Sequence, residues 1–191
     1  MSHPETTQHP VFDAIVARRT AHSFRTDPIP EDGMVRALEA ANHAPCHRLT
    51  FPWRFIRVGA RTRTALAEVA VALKAAKRAV TAEEATRVAA KILDPPELLV
   101  ACQVRVPDAF QSREDYAACS CAIQNLCVSL AADGVATKWS TGGLTRDPRT
   151  CQILGIDPRQ LEVIGFIWAG YADPPGPISR PPLDAVVAAL P

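Results

Sequence analysis

Arg18-Arg19-Thr20-Ala21-His22-Ser23-Phe24 stands at the end of a short N-terminal helical pattern and places two guanidinium groups beside a hydroxyl. A guanidinium fork matches the oxygens of a phosphate. Further along come His43-Ala44-Pro45-Cys46-His47, a proline-broken loop with two histidines, and Pro52-Trp53-Arg54-Phe55, the start of a Trp-led strand. Downstream stand Asp133-Gly134, then Trp139-Ser140-Thr141-Gly142-Gly143-Leu144, then Ile164-Gly165-Phe166-Ile167-Trp168-Ala169-Gly170-Tyr171. Each piece alone has an ordinary structural reading. Arg18 and Arg19 suit a helix C-terminus, where cations gain from the dipole. Gly142-Gly143 suits a tight turn or a close backbone approach, and Trp139 suits a core.

Outward from these segments the chain alternates helical and strand patterns. Residues 11–19 have helical spacing, with Phe12, Ile15 and Val16 on one face. Pro28-Ile29-Pro30 breaks the chain, and a second helix over 31–43 opens on acidic residues and stops at Pro45. Residues 53–58 read as a strand. An Ala-rich helix follows over 62–80, and Thr81-Ala82-Glu83-Glu84 is a capping box opening another, to about Leu93. The apolar runs 98–106 and 163–168 read as buried strands. Between them Ser112-Arg113-Glu114-Asp115 signals a helix that runs to about Asp133 and stops at Gly134. Over 116–132 that helix is interrupted only by Ser120, Gln124, Asn125 and Ser129, so it needs cover on nearly all sides. Asp147-Pro148 caps a short helix, Asp157-Pro158 marks a turn or another, and the prolines at 174, 175, 177, 181 and 182 make a stiff arm before a last short helix over 183–190. The predicted fold class is α+β: a central mixed or antiparallel sheet flanked by helices, with an extended C-terminal arm. Residues 11–191 form one domain, and the polar residues 1–10 read as a disordered leader.

Composition narrows the function classes. A chain of 191 residues, 48% hydrophobic, can bury one core. A net charge of +1 leaves no footprint for nucleic acid or an anionic membrane, and Lys74, Lys77 and Arg78, interleaved with alanines, read as a solvated helix face. No stretch reaches the roughly 18 apolar residues of a membrane span, and no signal peptide is present, so a cytoplasmic protein is expected. Six cysteines without a C-x-x-C pair look like reduced, buried thiols. No dinucleotide or nucleotide-triphosphate glycine motif, nucleophile elbow or zinc-protease motif occurs. His43, Cys46 and His47 are zinc-ligand types, but Pro45 keeps the two histidines off one helical face and no second ligand cluster completes the set. A zinc-site protein stands as an alternative.

The ordered segments resemble the FMN-dependent nitroreductase family, whose usual opening reads R-R-S-x-R-x-F and then A-P-S-x-x-N-x-Q-P-W. The resemblance implies a homodimer with two FMN molecules at the subunit interface. Arg18, Arg19 and Thr20 match the segment that holds the phosphate and ribityl chain. His43 and His47 match a loop that reaches FMN from the partner subunit, and Trp139, Ser140, Thr141 and Gly142 match the segment beside the isoalloxazine ring. Arg180, in Ser179-Arg180-Pro181-Pro182-Leu183, resembles a C-terminal basic residue that returns to the phosphate. Three positions depart from the pattern: His22 stands where many members carry Arg or Lys, and Leu49 and Phe51 stand where Asn and Gln are usual. The implied activity is ping-pong hydride transfer from NAD(P)H through FMN to a small acceptor such as a nitroaromatic or quinone, with no catalytic side chain required. The alternative in another class is a non-catalytic FMN-binding or partner-binding dimer.

Overall fold

The computed structural model describes residues 9–173, 176 and 178–190. Its centre is a four-stranded sheet in the order β1 (Trp53–Arg57), β2 (Glu97–Val104), β4 (Leu161–Gly170), β3 (Ala136–Ser140), antiparallel throughout. The two central strands are apolar almost without alternation because both faces of the sheet are covered. Leu99, Ala101, Ile164, Ile167 and Ala169 pack on one side with α2 (Glu31–Asn42) and α5 (Ala109–Ala132). Leu98, Val100, Cys102, Val163, Phe166 and Trp168 pack on the other, with α3 (Ala60–Ala75), α4 (Ala82–Leu93) and residues of α6 (Pro148–Leu154).

The register of β2 against β4 slips between Ala101 and Cys102, whose partners are Gly165 and Val163. Val163 and Phe166 therefore share a face although they stand three positions apart, as do Ile164 and Ile167. This is a β-bulge, which kinks the strand and re-aims its neighbours. It leaves Gly165 beneath the indole of Trp139: a Cβ on Gly165 would stand 2.0 Å from Trp139 Nε1. That nitrogen donates to the Ile164 carbonyl at 3.4 Å.

Local signals account for the element ends. Thr81 accepts from the Glu84 amide while Glu84 accepts from the Thr81 amide, as the capping box predicts. Asp147 accepts from the Arg149 amide to open α6, and Gly155, at φ 66°, closes it. Four expectations change. α5 opens at Ala109, capped by the Asp108 carboxylate accepting from the Gln111 amide, so Ser112 to Asp115 lie inside it. The Ala-rich α3 ends at Ala75, well before Val80. β3 was not foreseen, since Ala136-Thr137-Lys138-Trp139-Ser140 has no clean apolar alternation. The helix expected over 183–190 reduces to a single 3₁₀ turn, Leu183–Ala185. Most of the expected leader, Pro174, Pro175 and Pro177 of the expected arm, and the last residue, Pro191, lie outside the described residues. No helix among the described residues is long and apolar enough to cross a membrane.

α1 (Pro10–Ala17) buries none of its residues. Val11, Phe12, Ile15 and Val16 are all exposed, so the apolar face read from their spacing has no cover within one chain. α5 buries more of its surface, but Phe110, Tyr116, Ala117 and Cys121 remain exposed. Three cysteines, Cys102, Cys119 and Cys127, are buried as expected, whereas Cys121 is exposed. Burial pushes the Cys102 and Cys119 thiols up to about 12, so neither supplies a thiolate.

Candidate active site

The chain from Arg18 to Phe24 runs past the β3 edge of the sheet. Thr20 pairs with Thr137 in an isolated parallel bridge, and the Ala21 amide donates to the Thr137 carbonyl at 3.1 Å. The opening motif is thereby fastened beside the strand that leads into Trp139-Ser140-Thr141-Gly142. Arg18 is half-buried, and its Nε is buried without a hydrogen-bond partner. Its guanidinium acts on Cys127 of α5, whose thiol is pushed up by burial against the pulls of a Thr137 hydrogen bond and of Arg18. Arg19 turns back on its own helix end, donating to the carbonyls of Val16 and Arg18, which is the helix-terminus role open to it from sequence.

Beyond this crossing a cavity of about 820 Å³ opens between the sheet and the α3–α4 pair. His22, Ser23 and Phe24 line it, with Ser140, Gly142, Gly143 and Leu144 on a second wall and Phe166 and Trp168 of β4 on its floor. Its size is that of a small-molecule site. Gly142 faces open space apart from Ser140 Oγ, 3.9 Å from an added Cβ. Backbone around Ser140 and Gly142 can therefore be approached closely. Of the ten candidate residues, only Ser140 and Gly142 line this cavity. Arg18, Arg19 and Thr20 lie where the chain passes β3, and Trp139 spans the bulge. Thr141 is exposed next to the cavity wall.

The histidine loop lies elsewhere, against α5. His43 caps α2 and His47 opens a 3₁₀ turn, both exposed. Within one chain they are not brought to the cavity. Arg48, Leu49 and Phe51 all have positive φ, at 57°, 53° and 44°. Each such non-glycine residue costs about 1–3 kcal/mol and persists only where its surroundings hold it. Here Cys46 Sγ accepts from the Phe51 amide at 3.2 Å, Thr50 Oγ1 donates to Asp115 at 2.7 Å, and Arg48 donates to Gln111 at 3.2 Å. Gln111 in turn donates to Asp115 at 2.8 Å. Cys46 is thus engaged within its own loop. Among the described residues no group of three or more His, Cys, Asp or Glu could hold a metal ion. Arg180 is exposed and has no hydrogen bond or ion pair among the described residues.

Sequence reasoning missed Gly165, although a glycine inside an apolar strand is itself a signal of a bulge or a close approach. It also set aside Lys74, Lys77 and Arg78, which line the cavity together with Lys91 and Lys138.

With this geometry in place, the comparisons are specific. The family model described as "Nitroreductase family" matches residues 15–171. The Bacillus subtilis (strain 168) protein named "Putative NAD(P)H nitroreductase YfhC" is 30% identical over 169 residues, which span 87% of each chain. The crystal structure of a nitroreductase-like family protein from Bacillus cereus superposes with a TM-score of 0.83 at 23% identity, covering 98% of this chain and 99% of that one. The FMN-dependent nitroreductase NfnB from Mycobacterium smegmatis, solved in complex with NADPH, superposes at 0.77 with 19% identity, covering 95% and 98%. The motif order, the antiparallel sheet with its flanking helices and the near-full-length matches agree: this chain belongs to the nitroreductase family.

Proposed function

We propose that the chain is an FMN-dependent NAD(P)H oxidoreductase that works as a homodimer, by ping-pong hydride transfer to a nitroaromatic, quinone or similar small acceptor. The observation that carries this reading is the juxtaposition at β3. A half-buried Arg18 with an unpartnered Nε stands where the opening motif is fastened to β3, and β3 leads straight into a cavity wall of accessible backbone. A buried donor without an acceptor is unfavourable, and the phosphate of FMN supplies such an acceptor. The residues present fit the group. Arg18 and Thr20 would hold the phosphate end, with Arg180 as a further cation. Trp139, Ser140, Thr141 and Gly142 would flank the ring, and His43 and His47 would approach from the partner. The chemistry that FMN supplies when bound is two-electron transfer between NAD(P)H and an organic acceptor. The protein's part is to seat the ring against Ser140–Gly142 and to leave the cavity open to the second reactant.

The purified protein is expected to be yellow, to release FMN on denaturation and to bleach when NADH or NADPH is added without oxygen. A flavin-free protein that takes up no FMN overturns the reading. Flavin that neither nucleotide bleaches transfers the case to the non-catalytic dimer.

The dimer has its own support in the uncovered apolar surface. Besides α1, the loop residues Leu49 and Phe51 and the C-terminal Ile178, Leu183, Val186, Val187 and Leu190 are exposed. An amphipathic helix whose apolar side chains Val11, Phe12, Ile15 and Val16 are all exposed is unusual on a monomer. Light scattering is expected to give twice the chain mass, through an interface of more than about 2,000 Å² in total. A stable monomer at micromolar concentration refutes it.

A further inference from the structure

Lysine is rare in this chain. Only four occur, Lys74, Lys77, Lys91 and Lys138, against seventeen arginines. All four line the same cavity, two from α3 and its end, one from α4 and one from β3. The ion pairs among the described residues are made by arginines alone. Arg78, the fifth cation of the cavity, is held by Glu84 through both of its terminal nitrogens. Among the described residues none of the four lysines makes an ion pair, Lys74 has only the field of the Glu84 carboxylate that Arg78 already holds, and Asp94 is the one acidic residue in the cavity lining. Lys138 Nζ stands 5.4 Å from the centre of the Trp168 ring, on the cavity floor. Burial, and then repulsion from Lys91, lowers the Lys138 pKa. Like charges gathered against an apolar floor are unfavourable unless something negative joins them.

We infer that this lysine wall selects an electron acceptor bearing a negative charge, a carboxylate or similar anion on a flat aromatic frame. The inference rests on the oxidoreductase reading above and names its substrate class. The floor supplies the aromatic part of the match, through Phe166 and Trp168, and Leu73 of α3 adds apolar surface. The lysines supply rotatable point charges, which accept an anion in many orientations, whereas an arginine fork would demand one geometry. Arg18 and Thr20, which would hold the flavin phosphate, are not among the residues that line the cavity. A substrate of this kind would also be drawn in by the field of the wall before contact.

The test compares 4-nitrobenzoate with its neutral isostere 4-nitrobenzamide as acceptors for the holoenzyme. The ratio of their kcat/KM values is expected to fall roughly tenfold in the double variant Lys74→Gln/Lys77→Gln, the loss of charge-assisted contacts discounted for partial exposure. In the unmutated enzyme the same ratio should shrink as salt is raised from about 0.02 M to about 0.5 M, because the screening length falls severalfold. This second arm needs no variant to fold. A third arm needs no turnover: calorimetry on the purified protein should show benzoate binding more tightly than benzamide. A ratio that neither the variant nor salt changes overturns the inference while leaving the oxidoreductase reading intact. So does a variant that instead loses affinity for FMN, which would assign the lysines to the flavin phosphate. A variant whose altered preference is between NADPH and NADH would assign them to the dinucleotide and equally overturn it. If the flavin is absent or never bleached, the oxidoreductase reading fails on its own, and the benzoate titration still decides whether the wall binds aromatic anions.

Discussion

Gly165→Ala is expected to destabilise the protein by about 1–3 kcal/mol, the usual cost of overpacking a filled site. In a chain of this size that lowers the melting temperature by roughly 2–4 °C per kcal/mol. The cause is specific. The added methyl would stand 2.0 Å from Trp139 Nε1 and 2.5 Å from its Cδ1, well inside contact distance, so the rigid indole must leave. Its hydrogen bond to the Ile164 carbonyl goes with it. Because Trp139 leads directly into Ser140–Gly142 on the cavity wall, the same change should weaken flavin binding. A thermal melt of the variant checks the first effect. A double-mutant cycle with Trp139→Ala checks the cause: removing the indole should cost less in the Gly165→Ala background than in the unmutated protein, because there it also relieves the clash. Strictly additive effects would show that the indole and Gly165 do not compete for this space.

The indole over the bulge also marks where the sequence stopped being legible. Elements that carry their own chemistry could be read locally. Thr81 with Glu84 announces its capping box, Asp147-Pro148 its helix start, and the runs around Leu98 and Phe166 their double-sided burial. β3 could not be read that way. It is a short edge strand whose residues are ordinary, and it exists because β4 offers it a partner. The bulge is invisible for the same reason, as it is a property of two strands in register. The site divides along this line too. The motif order pointed to the segments, but the cavity is made by α3 and α4 folding back over the sheet, so the lysines of a helix that read as solvated turn out to line it. The spacing of Phe12, Ile15 and Val16 marks an apolar face on α1, but it could not tell that these side chains stay exposed within this chain. His43 and His47 follow suit: their loop is held through Arg48 on Gln111 and Thr50 on Asp115, contacts that span some sixty residues of chain.

Arg18→Ala is expected to weaken FMN binding by roughly 10- to 150-fold, the equivalent of about 1.5–3 kcal/mol for a charge-assisted contact to a phosphate. Arg18 and Arg19 are neighbours in sequence but not in role. One terminal nitrogen of Arg19 is turned onto the carbonyls of its own helix end, whereas the Nε of Arg18 is buried and unpaired. The competing account is that Arg18 is a helix-end cation as well, since it is the C-cap residue of α1 and its amide bonds to the Ala14 carbonyl. That account predicts a small loss of stability in the flavin-free protein, about 0.3–1 kcal/mol from the dipole, and no change in flavin affinity. Two measurements on one variant separate them: a fluorescence titration with FMN and a melt of the apo protein. Arg18→Lys should fall between, because it keeps the charge and loses the fork. His47→Ala serves as the comparison. Its imidazole is exposed in this chain and would give FMN at most one hydrogen bond, about 0.5–1.5 kcal/mol, so its effect should be the smaller. An Arg18→Ala titration that overlays the unmutated protein would return Arg18 to the helix end and leave the phosphate to Arg180 or another cation.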